Sequence, residues 1–166
     1  MYTGGCKWDK VGKYGGIGQM FLGRFLHTVD SKGRVSIPMK FREILADRYE
    51  EKLIVTTDFD QCLVAYPIEE WRLIEEKAKS LPAMRKEVKE WLRFFYSGAV
   101  ECGLDRQGRI LLSPALREYA RLTKEVVMLG MFNKIEIWDA KRWKEKEAQM
   151  PKNFEKIGEA LAGLGF

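Results

Sequence analysis

Hydrophobic and polar positions follow a pattern that occurs twice along the chain. Residues 53–57 and 126–129 are compact apolar runs, which are typical of buried strands. Residues 134–138, KIEIW, alternate polar and apolar side chains as a half-exposed strand does. Around these runs, each copy predicts the same order of elements: strand, tight turn, strand, short helix, strand, turn, strand and helix.

Turn residues and prolines predict where the first strands of each copy end. Residues 29–38 read VDSKGRVSIP and residues 104–114 read LDRQGRILLSP, so each copy has a glycine turn between apolar runs and predicts a hairpin. Pro38 and Pro114 lack the N–H that a strand ladder needs, and they end the second strand. The short helices are predicted at residues 41–45 and 116–120.

Two helix starts are indicated by residues that favour the N-cap position. Ser113 precedes Pro114, and proline is well tolerated at the first helical position because the N–H there has no partner within the helix. Asp139 likewise predicts the cap of the closing helix of the second copy, which carries Trp143.

The two copies align residue by residue. An offset of 75 pairs Val29 with Leu104, Asp30 with Asp105, Gly33 with Gly108, Arg34 with Arg109, Val35 with Ile110, Ile37 with Leu112, Arg42 with Arg117 and Glu43 with Glu118. An offset of 72 then pairs Ile54 with Val126, Val55 with Val127, Leu63 with Ile135, Ala65 with Ile137, Tyr66 with Trp138 and Trp71 with Trp143. Because this repeat is too long for a solenoid unit and short for an independent domain, we expect two half-folds that share one core.

A segment between the copies, residues 82–97, reads PAMRKEVKEWLRFFYS and predicts an amphipathic helix. The apolar residues at helical spacing are Met84, Val88, Trp91, Leu92 and Phe95. Phe94 and Tyr96 fall off that stripe, which favours a subunit contact formed by Trp91, Phe94 and Tyr96. Burial of all these side chains in a deep core is the alternative. The sequence of the tail from Pro151 onward predicts a helix of low stability, to which we assign no function.

The first nineteen residues differ from the rest of the chain. They contain six glycines and no sustained hydrophobic period, which is typical of a disordered leader. The patterned sequence begins at Phe21, so we expect Met20 to be the natural start of the protein.

The composition slightly favours an anionic binding partner. The 166 residues are 46% hydrophobic, enough for a core, and 29 Lys and Arg against 24 Asp and Glu give a net charge of +5. The cysteines Cys6, Cys62 and Cys102 are odd in number and widely spaced, so they indicate neither a disulfide framework nor a zinc site, and reduced thiols are expected. No apolar run reaches the roughly 18 residues of a membrane span, and no secretory signal is apparent.

The chemistry of the repeated turn lies in its D-x-x-G-R pattern. Asp30 and Asp105 can accept hydrogen bonds from their own turn, and Gly33 and Gly108 can adopt positive φ, so these four residues are expected to position the loops. Arg34 and Arg109 are left unexplained by turn geometry. One interpretation is an ion pair with the turn aspartate and nothing more. Lys32 and Arg106 add further cations at the tips, which favours an anionic partner instead.

Four segments resemble the MraZ family: residues 20–43, MFLGRFLHTVDSKGRVSIPMKFRE; 63–71, LVAYPIEEW; 91–120, WLRFFYSGAVECGLDRQGRILLSPALREYA; and 133–143, NKIEIWDAKRW. The resemblance implies an α+β, mostly β fold: two tandem SpoVT-AbrB-like swapped-hairpin, double-psi-type half-barrels that share one core, with peripheral helices. The expected units are a leader (1–19), a first repeat (20–80), a connecting helix (81–97), a second repeat (98–148) and a tail (149–166).

The function implied by this resemblance is transcriptional regulation of the bacterial division and cell-wall gene cluster. Such a protein is expected to bind short G-rich direct repeats in double-stranded promoter DNA as a ring-like homo-oligomer, in the cytoplasm and on the nucleoid. The DNA-contacting arginine of the family corresponds to Arg34 and Arg109. We add Lys32, Arg106 and Gln107 as further DNA-binding candidates. No cofactor, metal, membrane or small-molecule substrate is implied.

Catalysis is not expected. The chain contains one histidine, His27, and no nucleophile set is completed around it. The duplicated aspartates lack the D-[ST]-G arrangement of aspartic proteases, since the glycine lies one residue too late. The alternative function is a structural or protein-interaction module whose loop arginines form intersubunit ion pairs without specific DNA recognition.

Overall fold

The computed structural model describes residues 20–166, so the interpretation of residues 1–19 as a leader lies outside the described part of the chain. The first repeat contains β1 (Arg24–Thr28), β2 (Arg34–Ser36), α1 (Met39–Arg48), β3 (Lys52–Thr57), β4 (Leu63–Pro67) and α2 (Ile68–Lys79). After α3 (Lys86–Ser97), the second contains β5 (Val100–Gly103), β6 (Arg109–Leu111), α4 (Pro114–Tyr119), β7 (Glu125–Met131), β8 (Lys134–Asp139) and α5 (Ala140–Gln149). A 3-10 turn (Met150–Asn153) leads into α6 (Phe154–Gly163). The element order predicted for each copy is confirmed.

The strands form a six-stranded antiparallel sheet and a separate two-stranded ribbon. The sheet has the order β1-β7-β8-β4-β3-β5, and the ribbon consists of β2 and β6. The last two strands of each copy pair with each other, β3 with β4 and β7 with β8. The first two strands of each copy pair with the other copy instead: β1 with β7, β5 with β3, and β2 with β6.

The prediction of a simple hairpin at the start of each copy is therefore wrong in its strand pairing. The turn between β1 and β2 forms, but the two strands form no ladder with each other, and an isolated bridge joins Val29, just after β1, to Val35. The ladder of β2 is formed with β6, where Val35 lies opposite Ile110. This exchange buries both of these side chains completely or nearly so, which a free two-stranded hairpin cannot do.

One main hydrophobic core contains residues from both copies. It includes matched residues such as Val35 and Ile110 on the ribbon and Phe41 and Leu116 on the short helices, together with the buried face of the sheet. Two smaller clusters lie outside it, one of which contains Trp71 and Phe95. The chain is thus a mixed α+β protein with an antiparallel sheet, and its two copies depend on one another for burial of apolar surface.

The predicted N-caps are confirmed. The Ser113 hydroxyl accepts a hydrogen bond from the backbone N–H of Leu116 at 3.3 Å, and Pro114 occupies the first turn of α4. Asp139 Oδ1 accepts from the backbone N–H groups of Lys141 and Arg142 at the start of α5. Both caps are local interactions, which is why the sequence pattern alone indicated them.

The connecting helix begins later than predicted. It starts at Lys86 rather than at residue 82, and Met84 lies before it with its side chain 85% exposed, so the prediction that Met84 belongs to the apolar stripe is wrong. Phe95 is buried, with its ring stacked between those of Trp71 and Trp91.

The tail forms the predicted helix, α6, and every residue of this helix is exposed. None of the helices in residues 20–166 combines the length and the apolar character needed to cross a bilayer.

Candidate functional site

The first D-x-x-G-R turn, here called loop 1 (residues 30–34), is closed by hydrogen bonds to its own aspartate. Asp30 Oδ1 accepts from the backbone N–H groups of Lys32 and Arg34, each at 2.9 Å. The Asp30 carbonyl accepts from the N–H of Gly33 at 3.0 Å. Gly33 has φ of +85°, in the left-handed region that glycine adopts without a steric cost.

Loop 2 (residues 105–109) repeats this geometry in the second copy. Asp105 Oδ1 accepts from the backbone N–H groups of Gln107 and Arg109, each at 2.9 Å, and the Asp105 carbonyl accepts from Gly108 at 2.9 Å. Gly108 has φ of +73°. In both loops the aspartate accepts the hydrogen bonds of the turn and the glycine has positive φ, and that these four residues position binding loops stays a prediction.

Each loop arginine forms an ion pair that engages only part of its guanidinium. Arg34 Nε donates to Asp30 Oδ2 at 2.7 Å, and Arg109 Nε donates to Asp105 Oδ2 at 2.8 Å. Within residues 20–166, the Nη groups of Arg34 and Arg109 form no hydrogen bond or ion pair. Since a guanidinium has five N–H donors, four remain available on each arginine. The ion pair with the turn aspartate is thus present in both loops, and it leaves most of each donor set unused.

The two loop aspartates are stabilised as carboxylates. The backbone N–H of Arg34 is the largest cause that lowers the pKa of Asp30, to about 2. The backbone N–H of Arg109 has the same effect on Asp105, whose pKa also lies below its ordinary value. Both loops consequently keep a charged acceptor at neutral pH, and each acceptor restrains the Nε edge of its arginine.

The β2–β6 ribbon brings the two arginines together although they are far apart in sequence. Arg34 lies opposite Leu111, and Ser36 lies opposite Arg109. Because side chains alternate along a strand and Val35 and Ile110 face the core, Arg34 and Arg109 share the outer face of the ribbon. They are diagonal neighbours, for which the Cα separation is about 7–8 Å.

Backbone hydrogen bonds join each loop to the other copy. The N–H of Ile37 donates to the carbonyl of Gly108 at 2.9 Å, and the N–H of Leu112 donates to the carbonyl of Gly33 at 2.9 Å. The loop glycines therefore serve the turn and the cross-copy pairing at once. Loops 1 and 2 form a single pseudo-symmetric unit rather than two separate tips.

The other predicted binding residues lie at the loop tips. The side chains of Lys32, Arg106 and Gln107 are exposed and have no hydrogen-bond or ion-pair partner within residues 20–166. Arg106 also lines a groove of about 380 Å³ between loop 2 and α1. The outer face of the ribbon and the tips therefore present the cations of loops 1 and 2 to solvent.

Two arginines that the sequence analysis did not select lie against the loops. Arg42 on α1 contacts the position of Gly108, and Arg117 on α4 contacts the position of Gly33. Their matched position in the two copies was the sequence signal that could have identified them. Arg42 follows Gly33 by the same number of residues as Arg117 follows Gly108.

The aromatic residues considered as subunit contacts pack within the chain and are half-buried. Trp91 stacks on Phe95 at 5.0 Å, Tyr96 packs edge-on against Trp71, and Phe94 stacks on the exposed ring of Phe59 at 5.0 Å. The subunit contact itself stays a prediction.

In the described part of the chain, the remaining reactive side chains do not form a cluster. Burial and the positive charge of Arg42 lower the pKa of His27, which favours its neutral form. Burial raises the pKa of both described cysteines, Cys62 and Cys102, and both are free thiols. Within residues 20–166, no group of three His, Cys, Asp or Glu side chains could hold a metal ion.

The fold and site define an internally duplicated α+β protein with an antiparallel sheet, in which each copy contributes one D-x-x-G-R loop to a common ribbon. A family model described as "MraZ protein, putative antitoxin-like" matches the chain twice, at residues 20–94 and 95–163. The chain belongs to the MraZ family.

Curated relatives extend over most of this chain and nearly all of their own length. A protein of Desulforamulus reducens named "Transcriptional regulator MraZ" is 48% identical over 145 residues, which are 87% of this chain and 99% of that protein. A protein of the same name from Desulfitobacterium hafniense is 44% identical over 88% of this chain and 99% of its own length. Another, from Pelotomaculum thermopropionicum, is 46% identical over 87% of this chain and 97% of its own length. The name of these relatives denotes a regulator of transcription and not a class of enzyme.

Proposed function

We propose that this protein is a sequence-specific DNA-binding transcriptional regulator that binds short G-rich direct repeats in promoter DNA, upstream of the division and cell-wall gene cluster. The observation that carries this proposal is the pair of restrained arginines on the outer face of one ribbon. Each keeps its Nη donors free while an aspartate restrains its Nε. The names of the curated relatives support the same class of function.

The proposed mechanism uses the ribbon as the reading element. The major groove of B-DNA admits a two-stranded β-ribbon, and an arginine fork donating to O6 and N7 of guanine discriminates by about 1–3 kcal/mol. Arg34 and Arg109 would read guanine in this way. Lys32 and Arg106 would contact phosphates, with Gln107 as a further polar contact, and these contacts would fix the register on the duplex.

Repeated DNA sites would match repeated protein loops. A single ribbon has two reading arginines, so specific DNA binding by a single protein chain should be weak. A ring-like homo-oligomer facing direct repeats gains affinity through effective concentration without any new contact. We assign the first repeat to residues 20–80 and the second to residues 98–148, and we expect the protein in the cytoplasm on the nucleoid.

The test is fluorescence anisotropy with the duplex upstream of the protein's own gene, a scrambled duplex of the same composition, and a salt series. We expect preference for the native duplex and a log-log salt slope near −0.9 per neutralised phosphate. The variant Arg34→Ala/Arg109→Ala should lose that preference while its unfolding free energy changes by no more than roughly 1 kcal/mol. Arg93→Ala, on the exposed surface of α3, removes one charge from the surface as a control.

Two results would contradict the proposal. Equal and weak binding to both duplexes would leave only a basic surface. Loss of assembly by the folded double variant in sedimentation, with DNA binding unaffected, would instead favour a protein-interaction module whose loop arginines bridge subunits.

A further inference from the structure

Arg42 and Arg117 approach the loop glycines of the opposite copy. A Cβ atom added at Gly108 would overlap the Arg42 side chain, with Arg42 Nε at 2.8 Å. A Cβ atom added at Gly33 would lie 3.0 Å from both Cζ and Nε of Arg117. Each guanidinium therefore occupies the space that only a glycine leaves open, and it does so across the boundary between the copies.

The two contacts are alike in arrangement but differ in hydrogen bonding. Arg117 Nε donates to the carbonyl of Leu112 at 3.2 Å, directly after β6, the strand that pairs with β2. Arg42 Nε is buried and has no hydrogen-bond partner within residues 20–166. Arg42 also lines the groove beside loop 2, together with Asp105 and Arg106. Helix α1 thus reaches loop 2, and helix α4 reaches loop 1.

We propose that Arg42 and Arg117 are positioning residues, each of which supports the DNA-reading loop of the opposite copy: Arg42 supports loop 2 and Arg117 supports loop 1. The DNA part of this inference rests on the function proposed above for the loops. A weakly hydrated guanidinium suits this position because it can be buried beside the loop glycine at lower desolvation cost than an ammonium.

This arrangement makes each reading loop depend on a helix of the opposite copy. Arg109 is the reading residue of loop 2. The preceding residue, Gly108, is restrained by Arg42, which belongs to the first copy. An effect of Arg42 on DNA binding should therefore pass through Arg109 and leave Arg34 untouched. Arg117 should show the mirror-image dependence on Arg34.

The first experiment examines the free protein, without DNA. Arg42→Met keeps an unbranched apolar stem beside Gly108 and removes the unpartnered Nε, so the variant is expected to fold. In ¹H–¹⁵N NMR spectra it should shift the amide signals of Gly108 and Gln107 and leave that of Gly33 in place. Arg117→Met should do the reverse. Arg93→Met serves as the charge-matched control and should move none of them.

The second experiment measures DNA affinity in double-mutant cycles. Arg109→Ala alone is expected to weaken specific binding roughly 5- to 150-fold, the range for one bidentate guanine contact. In the Arg42→Met background that loss should shrink several-fold, whereas the loss from Arg34→Ala should be unchanged. The salt slope of Arg42→Met should equal that of the wild type, since no phosphate contact is removed.

Each outcome supports or overturns the inference. Additive losses for Arg42→Met and Arg109→Ala would overturn it, and a salt slope reduced by about 0.9 would make Arg42 a direct phosphate contact instead. Amide shifts at both loops, or at neither, would also overturn it. If the wild-type protein shows no specific DNA binding, the proposed function fails, while the amide shifts still decide whether Arg42 and Arg117 position the loops.

Discussion

Loops 1 and 2 have the same backbone and different tips. Their hydrogen bonds to Asp30 and Asp105 agree within 0.1 Å, and both glycines have positive φ. The residues between aspartate and glycine are Ser-Lys in loop 1 and Arg-Gln in loop 2. Aspartate and glycine therefore determine the shape of each loop. The tip side chains are free to differ because only the backbone groups of the tip residues take part in the turn.

The support beneath the loops also differs. Arg117 is anchored by a hydrogen bond from its Nε, whereas Arg42 Nε has no such bond to any described residue. An added Cβ atom at Gly33 would lie 3.0 Å from a backbone carbonyl oxygen, that of Leu112, whereas at Gly108 the nearest atoms belong to a long side chain that can move. Loop 1 is therefore expected to tolerate change less well than loop 2.

The largest effect in this comparison is expected from alanine at the loop glycines. Gly33→Ala and Gly108→Ala each force a non-glycine residue into the left-handed region, which costs of order 1–3 kcal/mol. Gly33→Ala should be the more destabilising of the two because its backbone contact cannot move away. Urea unfolding followed by circular dichroism measures both.

Gly103→Ala is the matched control for these variants. No atom lies within 4 Å of a Cβ atom added there, so its unfolding free energy should stay near that of the wild type. A larger loss for Gly108→Ala than for Gly33→Ala would contradict the asymmetry argued above.

A smaller effect is expected from making the two tips alike. Lys32→Gln converts the tip of loop 1 to Ser-Gln and Arg106→Ser does the same for loop 2, so the double variant has the same tip in both loops. If each tip cation neutralises one phosphate, each variant should reduce the salt slope of DNA binding by about 0.9. A reduced salt slope for one variant alone would mean that only that tip contacts DNA. An unchanged salt slope for both variants would show that neither Lys32 nor Arg106 belongs to the proposed interface.

The smallest effect concerns the acidity of the loop aspartates. Because the pKa of Asp30 in the folded protein is about 2, below its ordinary value of 3.8, its carboxylate stabilises the fold above pH 3.8. That contribution should decline as the pH falls from 3.8 toward 2, and Asp30→Asn should remove it at every pH. Carboxyl ¹³C NMR titration gives the pKa directly.

The same titration distinguishes backbone from side-chain contributions. Since the backbone N–H of Arg34 is the largest cause of the lowered pKa, Asp30 should remain more acidic than 3.8 in the Arg34→Ala variant. A return to 3.8 would mean that the guanidinium, and not the turn, holds the carboxylate in its charged form.

Sequence reasoning succeeded where the cause is local. The caps at Ser113 and Asp139 and the alternation of β8 from Lys134 to Ile137 depend on residues within a few positions of one another. The alternation ends at Trp138, which was predicted on the exposed face and is buried. Sequence reasoning failed where the partner is distant, as for β2, whose ladder lies with β6. An internal repeat indicates that two segments have similar shapes, but it does not say which segment pairs with which.

The site shows the same division. The sequence indicated Arg34 and Arg109 and the turn residues that restrain them, and their part in DNA binding stays a prediction. The contacts of Arg42 with Gly108 and of Arg117 with Gly33 required the structure, because each crosses from one copy to the other. Met84 was assigned to the helix stripe on periodicity alone, although the helix begins after it.

Strand exchange between the copies also has a consequence for synthesis of the protein on the ribosome. In β1, Arg24 pairs with Leu129 of β7, more than 100 residues later in the chain. At elongation rates of about 5–20 residues per second, β1 emerges roughly 5–20 s before its pairing partner. Until β6 and β7 emerge, β2 and β1 respectively have no native partner, so this chain is most exposed to misassembly with its neighbours while only its first repeat has been synthesised.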